Sequence, residues 1–170
     1  IGDAYIHNSF FQKDSEVVDI ICMALKVKRE SLYDIKVSKK GMTNQSFSFM
    51  CEGKKYIMRI PGIGTGRLIN REQETKVYQV IRDKNICDNI IYINPENGYK
   101  ITEFLSNARV CNPLDEEDVR KCMERLRAFH ELNLKVDHTF DIFGHIEFYE
   151  ELWVGASSAY GYYATTKAGV

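Results

Sequence analysis

The sequence lacks a long apolar run, so no segment is predicted to span a membrane. Its opposite charges nearly cancel, with a formal net charge of −1 at pH 7. This balance predicts no general attraction to nucleic acid or to an anionic membrane surface. The first ten residues, IGDAYIHNSF, lack the basic start and apolar centre of a signal peptide, so we expect none there.

The sequence also lacks paired cysteines. Its 5 cysteines are odd in number and none stands in a C-x-x-C pair, which argues against a disulfide framework and against a zinc site. This usage is typical of the reducing cytoplasm, so we expect a cytoplasmic protein. The cysteines are interpreted as small buried hydrophobic residues, and they are Cys22, Cys51, Cys87, Cys111 and Cys122.

The composition is otherwise ordinary, with 44% apolar and 28% charged residues, and 170 positions suffice for a real core. The apolar periodicity predicts helices and strands in one chain. The predicted helices run from Asp14 or Ser15 to about Lys26, from Asn70, from Asp115 to about Leu132, and from about Ile142 to Trp153. The predicted strands are Leu32–Ser38, Ser46–Phe49, Tyr56–Ile60, Ile90–Ile93 and Tyr99–Leu105. Residues 154–170 have no functional interpretation.

A lysine-rich turn precedes the second predicted strand. Residues 39–44 read KKGMTN, in which Gly41 lets the backbone approach a ligand while Thr43 and Asn44 offer polar side chains. Lysines beside exposed backbone N–H groups suit a phosphate, and Arg59 adds a cation on the returning strand. This layout is typical of a kinase-type ATP lobe. An ordinary hairpin is the alternative, because short glycine motifs often match by accident.

The helix that begins at Asn70 carries a second candidate group. Asn70 and Gln73 form a capping-box pattern, which places Glu74 in the first helical turn. On an isolated helix this residue would be a solvated surface carboxylate. Its position after the Arg59 strand allows it instead to pair with a phosphate-binding cation. The G-x-G at residues 62–64 lacks the strand-to-helix spacing of a dinucleotide-binding fold.

The histidines are interpreted as structural. His138 and Asp141 lie close together, and a loop histidine followed by an Asp helix cap is favoured over a metal or catalytic pair. His130 is interpreted as a packed or capping residue near the end of its helix.

Taken together, the order of the elements resembles the choline kinase and aminoglycoside phosphotransferase superfamily, and within it the bacterial choline kinases. The motifs that carry this resemblance are GMTN at 41–44, RIPG at 59–62 and INRxxE at 69–74, and it extends over roughly Ser31–Trp153. The resemblance implies an α+β, protein-kinase-like fold. Its N-terminal lobe, residues 1–105, would be a five-stranded antiparallel sheet with one inserted helix, and residues 106–170 would begin a helical C-terminal lobe.

The resemblance also implies the site. Gly41, Met42, Thr43 and Asn44 match the loop that covers the ATP phosphates. Arg59 matches the strand cation that holds those phosphates, and Glu74 matches the carboxylate that orients it. The segment that joins the lobes would bind adenine, and it consists of Thr102, Glu103, Phe104 and Leu105. The implied cofactors are ATP and Mg²⁺, and the implied substrate is choline.

The sequence departs from the family pattern in two places. Lys40 stands where the loop often has a first glycine. The catalytic H-x-D loop and the later metal-binding Asp do not occur in these residues, so we assign no catalytic residue and no metal ligand. We expect the 170 residues alone to be inactive. The alternatives are a kinase for an aminoglycoside, ethanolamine or a sugar, and a non-catalytic nucleotide-binding or interaction module.

Overall fold

A computed structural model describes residues 15–37, 44–153, 155 and 157–169 of the chain. Two compact units are present, Ile1–Val136 and Asp137–Val170. The described strands are β1 (Leu32–Val37), β2 (Asn44–Cys51), β3 (Lys54–Pro61), β4 (Ile90–Ile93) and β5 (Lys100–Glu103). The described α-helices are α1 (Ser15–Leu25), α2 (Arg71–Ile81), α3 (Glu116–Glu131), α4 (Ile142–Glu151) and α5 (Tyr163–Ala168). Short 3₁₀ turns span Arg29–Ser31, Thr65–Arg67 and Arg82–Lys84.

The strands form one antiparallel sheet in the order β1-β2-β3-β5-β4, with α2 inserted between β3 and β4. The turn between β2 and β3 holds Glu52 and Gly53 at φ 49° and 78°, a left-handed conformation that suits the glycine. Between β4 and β5, the Asn94 side chain accepts the backbone N–H groups of Glu96 and Asn97. The predicted α+β class and the five-stranded sheet with one inserted helix are confirmed.

One face of the sheet forms the apolar core. Phe47 pairs with Met58, which pairs with Ile101, and directly paired residues point to the same face. Helix α1 packs against this face because its apolar residues recur at helical spacing. The helical residues that it buries there are Val17, Val18 and Ile21.

The opposite face of the sheet is more polar. Ser46, Arg59 and Lys100 share one row of paired residues, and Ser48, Ile57 and Thr102 share the next row. Because side chains alternate along a strand, these rows lie on the side away from α1. This face carries the cation that the sequence predicts for phosphate binding.

The structure contradicts the expected burial of two of the five cysteines. Cys51 is buried and Cys22 and Cys87 are half-buried, but Cys111 and Cys122 are exposed, so the prediction of burial is wrong for these two. Cys111 lies in the segment before α3, and Cys122 lies on α3, whose apolar stripe is itself 38–55% exposed. That stripe consists of Val119, Met123, Leu126 and Phe129.

The unit formed by residues 137–170 contains α4 and α5. The Asp141 carboxylate accepts the Gly144 N–H at 2.9 Å and caps α4, which confirms its interpretation as a helix cap. In α5, the Tyr163 hydroxyl and the Lys167 ammonium donate to Glu150 at 2.6 and 2.5 Å. Among the described residues, no helix is both long enough and apolar enough to cross a bilayer. The lobe division after residue 105 stays a prediction.

Candidate functional site

Strand β3 and helix α2 bring Arg59 and Glu74 together. The Nη1 and Nη2 atoms of Arg59 donate to Oε1 and Oε2 of Glu74 at 2.5 and 3.0 Å. The two side chains are only 14% and 19% exposed. Asn70 caps the helix by accepting the Gln73 N–H, and this cap places Glu74 in the first turn beside the sheet. The structure therefore brings Arg59 and Glu74 together as the sequence predicts, and their role at an ATP site stays a prediction.

A second arginine, which the sequence analysis did not assign to the site, shares the same carboxylate. Arg71 donates from Nη1 to Oε2 of Glu74 at 2.9 Å and from Nη2 to Oγ1 of Thr65 at 3.2 Å. Thr65 in turn donates to the carbonyl of Gly62 at 2.8 Å, so the loop after β3 is tied to α2. The signal that could have found Arg71 is its i, i+3 spacing to Glu74 on one helical face.

The turn before β5 closes over both arginines at Gly98. The Gly98 carbonyl accepts a hydrogen bond from Nη2 of Arg59 at 3.0 Å. Its φ is +71°, and a Cβ at this position would lie 2.6 Å from Cδ of Arg71. Glycine is therefore required here by both the backbone angle and the close approach of Arg71.

The cluster of Arg59, Arg71 and Glu74 has a surplus positive charge, because two guanidinium groups share one carboxylate. Burial opposes ionisation of Glu74, but hydrogen bonds from the two arginines outweigh it and hold its pKa below the ordinary value. The buried Nε atoms of both arginines have no hydrogen-bond partner among the described residues. The surplus positive charge of the cluster is suited to an anion such as a phosphate.

The predicted adenine segment lies at the end of β5. The Glu103 N–H donates to the Asn89 carbonyl at 3.0 Å, and the Phe104 N–H donates to the Lys55 carbonyl at 2.9 Å. The Lys55 ammonium also lies 4.1 Å from the centre of the Phe104 ring. The Leu105 N–H has no partner among the described residues, so it is the donor in this segment that a ligand could use.

The remaining predicted residues lie at the sheet and beyond it. Thr102 is buried in β5 between Ile57 and Ile90. Asn44 begins β2 opposite Pro61, two residues after Arg59 on the neighbouring strand. The other predicted members of the phosphate loop, Gly41, Met42 and Thr43, lie outside the described residues. Within the residues that the structure covers, no group of three or more His, Cys, Asp or Glu side chains could hold a metal ion.

An antiparallel sheet with an inserted helix, and an arginine on the third strand paired to that helix, define a protein-kinase-like lobe. Residues 35–161 match the family model described as choline/ethanolamine kinase. The chain belongs to the choline/ethanolamine kinase family. The membership predicted from the sequence motifs is thereby confirmed.

Relatives support this assignment. The chain is 24% identical over 123 residues to the protein LicA of Haemophilus influenzae, covering 71% of this chain and 36% of that protein. The crystal structure of choline kinase LicA from Streptococcus pneumoniae matches with a TM-score of 0.74 at 22% identity, over 92% of this chain and 54% of that one. A structure of LicA in complex with AMP matches with a TM-score of 0.66 at 22% identity, over 90% and 53%. The chain thus spans about half the length of the matched structures.

Proposed function

We propose that this chain forms the nucleotide-binding part of an ATP-dependent choline kinase, which transfers the γ-phosphoryl group of Mg-ATP to the choline hydroxyl. The observation that carries the proposal is the bidentate pair of Arg59 and Glu74. In this arrangement Glu74 and the Gly98 carbonyl hold Arg59 on the polar face of the sheet, where its positive charge would attract the phosphates. The family assignment supports the kinase class.

The described residues contribute binding and orientation. Arg59 would hold the phosphates, Glu74 would fix its direction, and Asn44 would contribute with Gly41, Met42 and Thr43 in the covering loop. ATP supplies the transferable phosphoryl group when it is bound. Positioning and charge stabilisation of this kind account for most of the catalysis of phosphoryl transfer. The described residues offer no donor set for Mg²⁺, so we derive no step through the metal.

Adenine would bind along residues 102–105. Because the N–H groups of Glu103 and Phe104 are already used inside the protein, we propose that adenine accepts a hydrogen bond from the N–H of Leu105. A relative that was crystallised with AMP supports a nucleotide site in this fold. Replacement of Leu105 by Pro would remove that donor without touching the ion pair.

Choline is the proposed substrate because LicA of Streptococcus pneumoniae, which shares the fold, is named a choline kinase. Ethanolamine is the second candidate, because the matching family is described as choline/ethanolamine kinase. Arg59 argues against an aminoglycoside as substrate, because the aminoglycoside kinases of the superfamily that the sequence resembles usually have lysine at this position. We also propose that the 170 residues alone turn over no substrate, since they contain no H-x-D sequence.

The test compares phosphorylation of choline, ethanolamine and an aminoglycoside by the full-length protein with that by residues 1–170. We expect turnover of choline by the full-length protein and none by the shorter chain. Preference for ethanolamine would move the substrate to the second candidate. Nucleotide binding without turnover of any of these substrates would favour a non-catalytic module. Arg59→Ala should abolish turnover in the first two cases and leave partner binding intact in the third.

A further inference from the structure

Arg71 occupies a position that is unfavourable for a cation by two criteria. It is the first residue of α2, where the helix dipole disfavours positive charge, and it is only 6% exposed. Burial of a charge costs free energy unless the group is paired and hydrogen-bonded. An apolar residue at this position would avoid both costs, so packing alone does not explain an arginine here.

The hydrogen bonds of Arg71, together with the chain from Arg59 to Thr65, form a closed ring that we call the circuit. From Arg59 on β3, the chain continues into the loop where Thr65 accepts a hydrogen bond from Arg71. Arg71 donates a hydrogen bond to Glu74, and Glu74 also accepts hydrogen bonds from both terminal nitrogens of Arg59. Arg71 therefore links the Glu74 carboxylate to the loop that follows β3, the strand that carries Arg59. This circuit orients Arg59 before any ligand is present.

We infer that Arg71 is a positioning residue of the nucleotide site: it fixes Glu74 behind Arg59 and supplies the surplus positive charge that a phosphate group neutralises. The inference rests on the proposed function, because the anion is the phosphate chain of a nucleotide. Oε1 of Glu74 is bound by Arg59 alone, whereas Oε2 is shared by both arginines. Loss of Arg71 would leave a single arginine balanced by a single carboxylate, and the surplus charge would disappear.

The charged groups around Glu74 limit what can replace Arg71. Arg59 approaches from β3 and Arg71 from the same helix, and these two are the charges that act on the Glu74 carboxyl. Lys100 on β5 is paired with Arg59 in the sheet, but its ammonium donates to the Tyr78 hydroxyl at 2.8 Å and lies over that ring. We therefore expect no neighbouring cation to take over the role of Arg71.

The experiment uses Arg71→Met and Arg71→Lys, with Arg67→Met as the matched control because Arg67 is exposed and lies in the preceding turn. Calorimetry measures ATP binding by each full chain, and ¹³C NMR follows the titration of the Glu74 carboxyl. We expect Arg71→Met to weaken ATP binding by about tenfold, as for the loss of one hydrogen bond to a charged group. The Glu74 titration should move to higher pH. Arg71→Lys should show part of each effect and Arg67→Met neither.

The outcomes separate this inference from the proposed function. If the unaltered chain binds no ATP, the proposed function fails, while the Glu74 titration still reports whether Arg71 acts on that carboxyl. If Arg71→Met lowers only the melting temperature and leaves ATP affinity and the Glu74 titration unchanged, Arg71 is merely structural and the inference is wrong. Should Arg71→Met not fold, Thr65→Val keeps every charge and removes the hydroxyl that accepts from Arg71 and donates to the Gly62 carbonyl. An unchanged ATP affinity in that variant would also overturn the inference.

Discussion

The two faces of the sheet are held by different forces. On the face toward α1, paired apolar residues such as Met58 and Ile101 are fully buried, and contact between them needs no particular hydrogen-bond geometry. On the other face, Arg59 and Glu74 are nearly buried and are joined by specific hydrogen bonds. Apolar burial adds stability roughly in proportion to area. A buried ion pair adds little net stability, because desolvation offsets most of the attraction.

This difference separates stability from function within one sheet. The apolar face can fold the lobe without the ion pair, whereas the ion pair can orient a ligand only on a folded sheet. Substitutions on the apolar face should therefore lower mainly the free energy of unfolding. Substitutions on the polar face should lower mainly the affinity for nucleotide.

The largest expected effect is on the apolar face. Phe49 is 0% exposed and its ring stacks on Tyr56 at 5.5 Å between centroids. Phe49→Ala should lower the free energy of unfolding by about 3–5 kcal/mol, because it removes buried area and leaves a cavity. Urea denaturation measures the loss. Phe140→Ala is the control, since Phe140 is 72% exposed, and should cost less than about 0.5 kcal/mol. Equal losses in both variants would contradict the placement of the core.

The next effect concerns the polar face and is chiefly one of binding. Arg59→Met should weaken ATP binding by about a hundredfold, the equivalent of about 2.7 kcal/mol. It should cost only about 2 kcal/mol of unfolding free energy, because Arg71 still satisfies Glu74. Calorimetry and urea denaturation measure the two quantities on the same samples.

Lys100→Met is the matched control for Arg59→Met. Lys100 lies beside Arg59 in the sheet but directs its ammonium to Tyr78. If both variants weaken ATP binding equally, then general positive charge, and not the oriented guanidinium, is what the nucleotide requires.

The sequence predicts the local part of this architecture well. The apolar alternation that predicts β2 involves only neighbouring positions, and the strand is present in the structure. The pairing of Arg59 with Glu74 was predictable because the family resemblance supplies the long-range alignment of strand and helix. Without that resemblance, Glu74 would have been predicted to be a solvent-exposed carboxylate on the helix surface.

The missed features depend on contacts between distant segments. Gly98 lies 27 positions from Arg71 in the numbering, and no local pattern reveals that its missing side chain leaves space for that arginine. Cys111 and Cys122 were expected to be buried because cysteine usually is. Both are exposed, Cys111 before α3 and Cys122 on it, and exposure is a property of tertiary packing that composition does not contain. Strand β5 also ends at Glu103, before the predicted Leu105, although the Phe104 N–H still bonds the Lys55 carbonyl in the register of β3 and β5.

A smaller expected effect is the difference in stability loss between alanine substitutions at two glycines. Gly98 and Gly53 both have positive φ in turns between strands, but nothing lies within 4 Å of a Cβ built at Gly53. Gly53→Ala should cost about 1 kcal/mol from backbone strain alone. Gly98→Ala adds a collision with Arg71, so it should cost about 2–3 kcal/mol and also weaken ATP binding. Denaturation curves that coincide for the two variants would show that Arg71 moves aside freely.

The smallest expected effect is the pH dependence of stability that Glu74 contributes. Its pKa in the folded chain lies below the ordinary value of 4.5, because hydrogen bonds from Arg59 and Arg71 outweigh its burial. A carboxyl with a lowered pKa stabilises the folded state at pH values above 4.5, and this contribution is lost as the pH falls toward the folded pKa. Glu74→Gln cannot ionise, so its unfolding free energy should fall less steeply between pH 6 and pH 3, values within the usual carboxyl range.

Other carboxyl groups with lowered pKa values also lose stability over this interval, among them Glu117 and Glu150 on exposed helices. Because both proteins retain these groups, the difference between their urea-derived stabilities isolates Glu74. We expect that difference to be largest at neutral pH and to shrink continuously as the pH is lowered. A difference that stays constant with pH would mean that Glu74 titrates alike in the folded and unfolded chains. The polar face would then be held by hydrogen-bond geometry alone, without the charge on which nucleotide binding is proposed to depend.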